Sequence, residues 1–211
     1  MLKMNQTIDL LTGHRSIRKF TDLPIDTALF QKLIEAGQAA ASSSFLQGVT
    51  IMRVSDPDKR TAFKKITGGQ SYVETAPEFL VFCADLSRPM RCCKDHGGTP
   101  SEGLTEHFII ATVDVALYAQ NVAVAAESAG LGICYIGAIR NDAARSAALL
   151  DLPQQVYPVF GMCIGWPDQD PEVKPRLPVS VVLKENSYNA DGEAEAIAAY
   201  DDEMRSYYAT R

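Results

Sequence analysis
The chain has 211 residues, 46% of them hydrophobic and 22% charged, which suffices for one sizeable core and is short for two full domains, so a single domain over residues 1–211 is expected. A formal net charge of -6 argues against a surface that binds a polyanion, and no nucleic-acid partner is expected. The five cysteines, Cys83, Cys92, Cys93, Cys134 and Cys163, are odd in number and lie mostly in apolar runs, which points to free thiols and a reducing cytoplasm.

The opening "MLKMNQTIDLLTGH" lacks the apolar stretch and small-residue cleavage site of a secretory signal, so no processing is expected. Thr7 is a candidate cap for a short helix through Leu11 that stops at Gly13, leaving His14 to Phe20 extended. Alternate side chains of an extended segment share a face, so Ser16 and Arg18 point one way and Arg15 and Ile17 the other. Pro24 and Asp26 open a helix with Leu29, Leu33, Ala36 and Ala40 at helical spacing, running to about Ala41 and followed by the serines 42 to 44 and Phe45.

From there strands and helices alternate. Strands are expected at 49–54, 79–84, 133–136, 159–166 and 179–184, and a short helix at Pro57 to Ile66. The stretch from Ser87 to Gly103, rich in proline and glycine, predicts a mobile loop. Glu102 to Ala129 predicts a long buried helix stopped by Gly130; Asp114, Gln120 and Asn121 within it would be costly in a bilayer, so no membrane span is expected. Asp191 to Arg211 predicts a helix with a polar face. The whole reads as α+β.

Arg15, Arg18 and Lys19 crowd into six residues behind His14, and Lys174 and Arg176 flank a proline further on. Serines accompany these cations. Guanidinium forks, an ammonium and neutral donors together suit a phosphate group, although charge clustering alone equally fits a solvated loop. Neither stretch contains the glycine-rich turn of a Walker or dinucleotide fingerprint, so side chains would hold the anion. "TGGQ" (67–70) and "YIGAIR" (135–140) each fit a plain turn. The "RCCKDH" stretch (91–96) has metal-ligand composition without ligand spacing, so no metal is expected, and His107 reads as a partly exposed helical residue.

Together "GHRSIRKFTDLPI", "SSSFLQ", "TGGQ", "AAESAGLGICYIGAIRN", "FGMCIGWP" and "KPRLP", in order from about Ile8 to Arg211, resemble the oxygen-insensitive NADPH nitroreductase and flavin reductase family, in its major nitroreductase branch. The resemblance implies a nitroreductase-like fold with a central mixed β-sheet flanked by helices, in a domain-sharing homodimer with FMN at the subunit interface. It implies FMN contacts from His14, Arg15, Ser16, Arg18, Ser42, Ser44, Gln70, Ile136, Gly137, Ala138, Lys174 and Arg176, with Arg15 mainly on the phosphate and Arg18 on the ring. Phe45, Arg140 and Arg211 are implied on the substrate and NADPH side. The implied activity is two-electron ping-pong transfer from NAD(P)H, with NADPH preferred, to a small-molecule acceptor such as a nitroaromatic or quinone. A flavin reductase, a non-catalytic flavin sensor and a non-flavin phosphate binder are the alternatives. Relatives often carry glycine at the position of Ala138, have a shorter stretch than Ser87 to Gly103, and continue past the position of Arg211.

Overall fold
The computed structural model describes residues 5–209. Strands β1 (Val49–Arg53), β2 (Glu78–Asp85), β3 (Gly132–Ile136) and β4 (Val156–Gly165) form one sheet in the order β1-β2-β4-β3, every neighbouring pair antiparallel. The mixed character expected of the sheet rests on a parallel bridge from Ser16 to Ile133, which lays the extended segment along the outer edge of β3.

Nine helices are seen among the described residues: α1 (Gln6–Thr12), α2 (Thr27–Gln38), α3 (Pro57–Ile66), α4 (Tyr72–Thr75), α5 (Ser87–Asp95), α6 (Thr105–Ser128), α7 (Ala143–Leu149), α8 (Val179–Val182) and α9 (Glu193–Ala209). Side-chain caps set several starts. Asp26 accepts from the amides of Ala28 and Leu29, and Asp56 from those of Asp58 and Lys59, with Pro57 pre-shaped for the first turn. At α1 the cap is Asn5, extended and accepting from the Ile8 amide at 3.0 Å, so Thr7 lies inside the helix it was expected to begin.

Chain alternation divides the core. Leu80, Phe82, Ile133, Met162 and Ile164 face α6 and α2, where Val115, Ala119, Val122 and Leu33 meet them. Phe79, Val81, Cys83, Cys134, Ile136 and Cys163 face the opposite layer, against Phe63, Ile66 and Val73. Strand β2 is buried on both faces, which is why it reads as an unbroken apolar run. Each of these larger side chains contributes roughly 1.5–3 kcal/mol by leaving water.

Three expectations are corrected. Residues 87–95 are helix α5 rather than loop: Pro89 sits in its first turn, where no amide is required, and Asp85 accepts from the Ser87 hydroxyl and the Arg88 amide at the helix start. Residues 179–182 are one helical turn after Pro178 rather than a strand; the four residues Val179, Ser180, Val181 and Val182 are too few to show a period that separates the two. Helix α6 is buried along one face only, while Phe108, Ile109, Val113 and Leu117 are exposed on another.

By its contacts the chain divides after Asp170 into two compact units where the sequence predicts one domain. The second unit holds α8 and α9 and contributes no buried residue among those described, so it has no core of its own to mark it in the sequence. Within it, Lys184 pairs with Glu193 at 2.8 Å, and the Tyr200 hydroxyl reaches the Pro175 carbonyl.

Candidate active site
The extended segment after α1 owes its position to β3. The Ile17 amide donates to the Ile133 carbonyl at 2.9 Å, and Ile17 is buried. Opposite it stands Gly132, where a Cβ would fall 2.5 Å from Ile17 Cγ1 and 2.8 Å from its Cβ, so only glycine lets the segment lie so close.

This docking sends the two arginines to different places, as the alternation predicts. Arg15 lines a cleft of about 370 Å³ together with Glu127, Gly130 and Asp170, and its guanidinium donates to the Asp170 carboxylate. Beside it His14 Nδ1 lies 2.6 Å from Glu127 Oε1, near the end of α6. Arg18 takes the other side, against Tyr72 and Cys134. Burial raises the pKa of the Tyr72 phenol, and the neighbouring Arg18 cation offsets part of that rise. The same balance acts on the Cys134 thiol, pushed up by burial and drawn down by Arg18. A cation on this side therefore favours negative charge on whatever stands next to it.

Gln70 follows Gly68 and Gly69, both at positive φ, which carry the chain out of α3 toward α4, the turn that holds Tyr72. Its Oε1 is buried and has no hydrogen-bond partner among the described residues. An acceptor left in this state costs about 1–3 kcal/mol until a donor reaches it. Ile136 ends β3 fully buried, and Gly137 and Ala138, both partly exposed, begin the 3₁₀ turn Gly137–Asp142. Arg140 in that turn folds back: Nη1 donates to the Val159 carbonyl at 2.6 Å, and Nη2 lies 3.0 Å from where a Cβ on Gly137 would be.

The serine stretch lies elsewhere. Ser42 and Ser43 bind Asp114 in the middle of α6, whereas His14 binds Glu127 near its end, and the two acids are about 20 Å apart along the helix at 1.5 Å per residue. Within one chain Ser42, Ser44 and Phe45 are thus not gathered with His14 to Arg18. The Ser42 hydroxyl donates to Asp114 at 2.6 Å, which ties this loop to α6. Lys174 and Arg176 lie exposed in the second unit, where Lys174 Nζ sits 5.3 Å from the centre of the Tyr208 ring, a contact that raises its pKa. Arg211 falls outside the described residues.

Four residues that act here were not singled out as site residues by the sequence. Glu127, Asp170 and Tyr72 carry no local signal, because their partners come from distant segments. Asp114 does carry one, an acid inside an apolar helix. Among the described residues no group of three or more His, Cys, Asp or Glu is placed to hold a metal ion.

A profile of the nitroreductase family matches residues 11–107 and 103–166, and one of its C-terminal domain matches residues 174–211. The chain is 46% identical over 208 residues to the oxygen-insensitive NADPH nitroreductase of Salmonella typhimurium and 49% identical over 208 residues to the NADPH-flavin oxidoreductase of Vibrio harveyi, covering 99% of itself and 85% of each relative. The solved structure of nitroreductase A from Vibrio parahaemolyticus superposes with a TM-score of 0.93 at 50% identity, over 99% of this chain and 87% of that one. The NADPH:FMN oxidoreductase of Vibrio harveyi, solved with NAD+, gives 0.92 at 48% identity, over 97% and 87%. With both halves of the sequence matched in order and the fold shared at this level, the chain belongs to the nitroreductase family.

Proposed function
We propose that the protein is an FMN-dependent NAD(P)H oxidoreductase that reduces nitroaromatics, quinones or similar small acceptors in the cytoplasm. The observation that carries the reading is the side of the extended segment where Arg18 stands against Tyr72 and Cys134, with the buried Gln70 Oε1 awaiting a donor nearby in the chain. A planar heterocycle with ring N–H donors and an edge that gains negative charge on reduction fits that pair of groups. When bound, FMN supplies the two-electron chemistry, accepting hydride from the nicotinamide and passing the electrons to the acceptor.

The chain's own residues then bind and tune. Arg18 would hold positive charge toward the ring, Gln70 would accept a hydrogen bond from it, and Gly137 and Ala138 would line its binding site. Arg15 and His14 would supply cationic and hydrogen-bonding groups for the phosphate end. No side chain is required to carry the electrons.

The same reading includes a homodimer. The exposed stripe on α6, with Phe108 57% and Val113 49% exposed, is a contiguous apolar surface of the kind that marks an association face. Ser44 and Phe45, remote from Arg18 in their own chain, would reach the cofactor of a second copy across such a face. Sedimentation equilibrium should return twice the chain mass.

The direct test is spectroscopic. The purified protein should be yellow and should bleach on anaerobic addition of NADPH; a yellow protein that NADPH leaves unbleached would be a flavin binder without turnover. Similarity to both a nitroreductase and a flavin oxidoreductase keeps free FMN among the acceptors to be compared, with nitrofurazone and benzoquinone, at matched concentration.

Arg18→Gln is expected to lower the flavin two-electron potential by on the order of 30 mV, ~1.4 kcal/mol, and to slow bleaching by NADPH about tenfold, with FMN affinity nearly kept. Potentiometry checks it. A variant that loses FMN but shows the unaltered potential when reconstituted would remove Arg18 from the ring edge.

For the donor, Arg140 is an exposed cation within the turn Gly137–Asp142, which would face the nicotinamide nucleotide. Its bond to Val159 uses one nitrogen and leaves its charge in place. Arg140→Ala should narrow the NADPH/NADH ratio of kcat/KM about tenfold, ~1.4 kcal/mol. An unchanged ratio would assign Arg140 to holding the turn alone.

A further inference from the structure
Between α2 and β1 the chain adopts a conformation that non-glycine residues avoid. Ser44, Phe45 and Gln47 all have positive φ, 49°, 55° and 52°, in a span of four residues. Each such residue costs of order 1–3 kcal/mol and persists only where its surroundings over-determine it. The local bonds, Phe45 amide to Ser42 carbonyl at 3.1 Å and Leu46 amide to Ser43 carbonyl at 3.0 Å, would serve an ordinary turn equally well.

What over-determines it is Asp114. This carboxylate, 4% exposed on the buried face of α6, accepts from the Ser42 hydroxyl at 2.6 Å through one oxygen and from the Ser43 amide at 3.0 Å through the other. The Ser42 oxygen, its proton already given, accepts from the Gln47 amide at 2.7 Å. The acid thus fixes both ends of the loop, the near end directly and the far end through one hydroxyl. Arg88 of α5 adds a second tie, donating to the carbonyls of Gln47 and Val49 at 3.3 and 3.2 Å. The outcome is a rigid base under an unusually exposed tip: Phe45 is 78% exposed.

We propose that Asp114 is a positioning residue for the reaction, holding Ser44, Phe45 and Gln47 in the left-handed conformations that present Phe45 to the acceptor. The proposal rests on the oxidoreductase reading for the role of Phe45, and on the hydrogen bonds alone for the role of Asp114. Asp114→Asn would place an amide donor where the Ser42 hydroxyl must give its proton, and Ser42→Ala would cut the relay to Gln47. Ser42→Thr keeps the hydroxyl, and the extended backbone of Ser42, φ -136° and ψ 136°, accepts a β-branched residue.

Two measurements on the full-length protein test this together. In hydrogen exchange, the Gln47 amide should lose protection at least tenfold in both Asp114→Asn and Ser42→Ala, and keep it in Ser42→Thr, with the amides of β2 unaffected in all three. In steady-state kinetics the same two variants should raise the acceptor KM about tenfold, with kcat falling by less, and Ser42→Thr should restore the KM. An unmoved Gln47 amide, or loss of protection in β2 as well, would overturn the local tie. Faster loop exchange with an unchanged KM would overturn the positioning role. If the parent protein were not bleached by NADPH, the oxidoreductase reading would fail, while the exchange arm would still decide what holds the loop.

Discussion
Gly132→Ala is expected to destabilise the protein by about 2–3 kcal/mol and to weaken FMN binding about tenfold in the same step. The added methyl would lie 2.5 Å from Ile17 Cγ1 and 2.8 Å from Ile17 Cβ, and the second of these cannot be relieved by turning a side chain. Either β3 or the extended segment must move, and the segment is the weaker: against β3 it is held by the hydrogen bond from the Ile17 amide to the Ile133 carbonyl, with the Lys19 carbonyl accepting from the Asp168 amide further along. Moving Ile17 displaces Ser16 and Arg18 on one face and Arg15 on the other. Chemical denaturation and FMN titration should report both losses, and Ile17→Ala in the same protein should recover part of each. A Gly132→Ala protein with the parent's stability and affinity would show that the segment has slack.

Arg15→Ala should separate what Gly132→Ala joins. Loss of a charge-assisted bond to the FMN phosphate is expected to weaken cofactor binding by about 1.5–3 kcal/mol, a factor of about 10 to 150 in Kd. Stability without cofactor should change by only ~0–1 kcal/mol, because the Asp170 side chain that Arg15 pairs with is 86% exposed and readily rehydrates. Unchanged FMN affinity would assign Arg15 to its pair with Asp170 and take it out of the phosphate site.

The elements that were legible in the sequence are those with punctuation of their own. Residues 57–66 read as a helix because Asp56 and Pro57 mark its start, and β2 because an apolar run of its length between turn signals suits a strand buried on both faces. Proline and glycine misled at 87–103, where Pro89 occupies a first-turn position and leaves α5 intact. The site divides in the same way. The opposed directions of Arg15 and Arg18 follow from the extended backbone and could be read directly, whereas the pairing of His14 with Glu127, 113 residues away, and of Ser42 with Asp114, 72 away, exists only once α6 lies across the sheet. Ser42 shows the consequence: its residue type suggested a donor, and only the folded chain shows that its hydroxyl also ties the loop to Asp114.

Helix α6 also acts as a ruler. The acid that sets the Phe45 loop and the acid that meets His14 stand on one rigid rod, so their separation and relative angle are decided by the number of residues between them. Adding or removing one residue there would turn one carboxylate about 100° from its partner while leaving composition and apolarity almost untouched. Length variation among homologous chains should therefore gather in the surface connections and be barred from this stretch, for a geometric reason that hydrophobicity alone would never reveal.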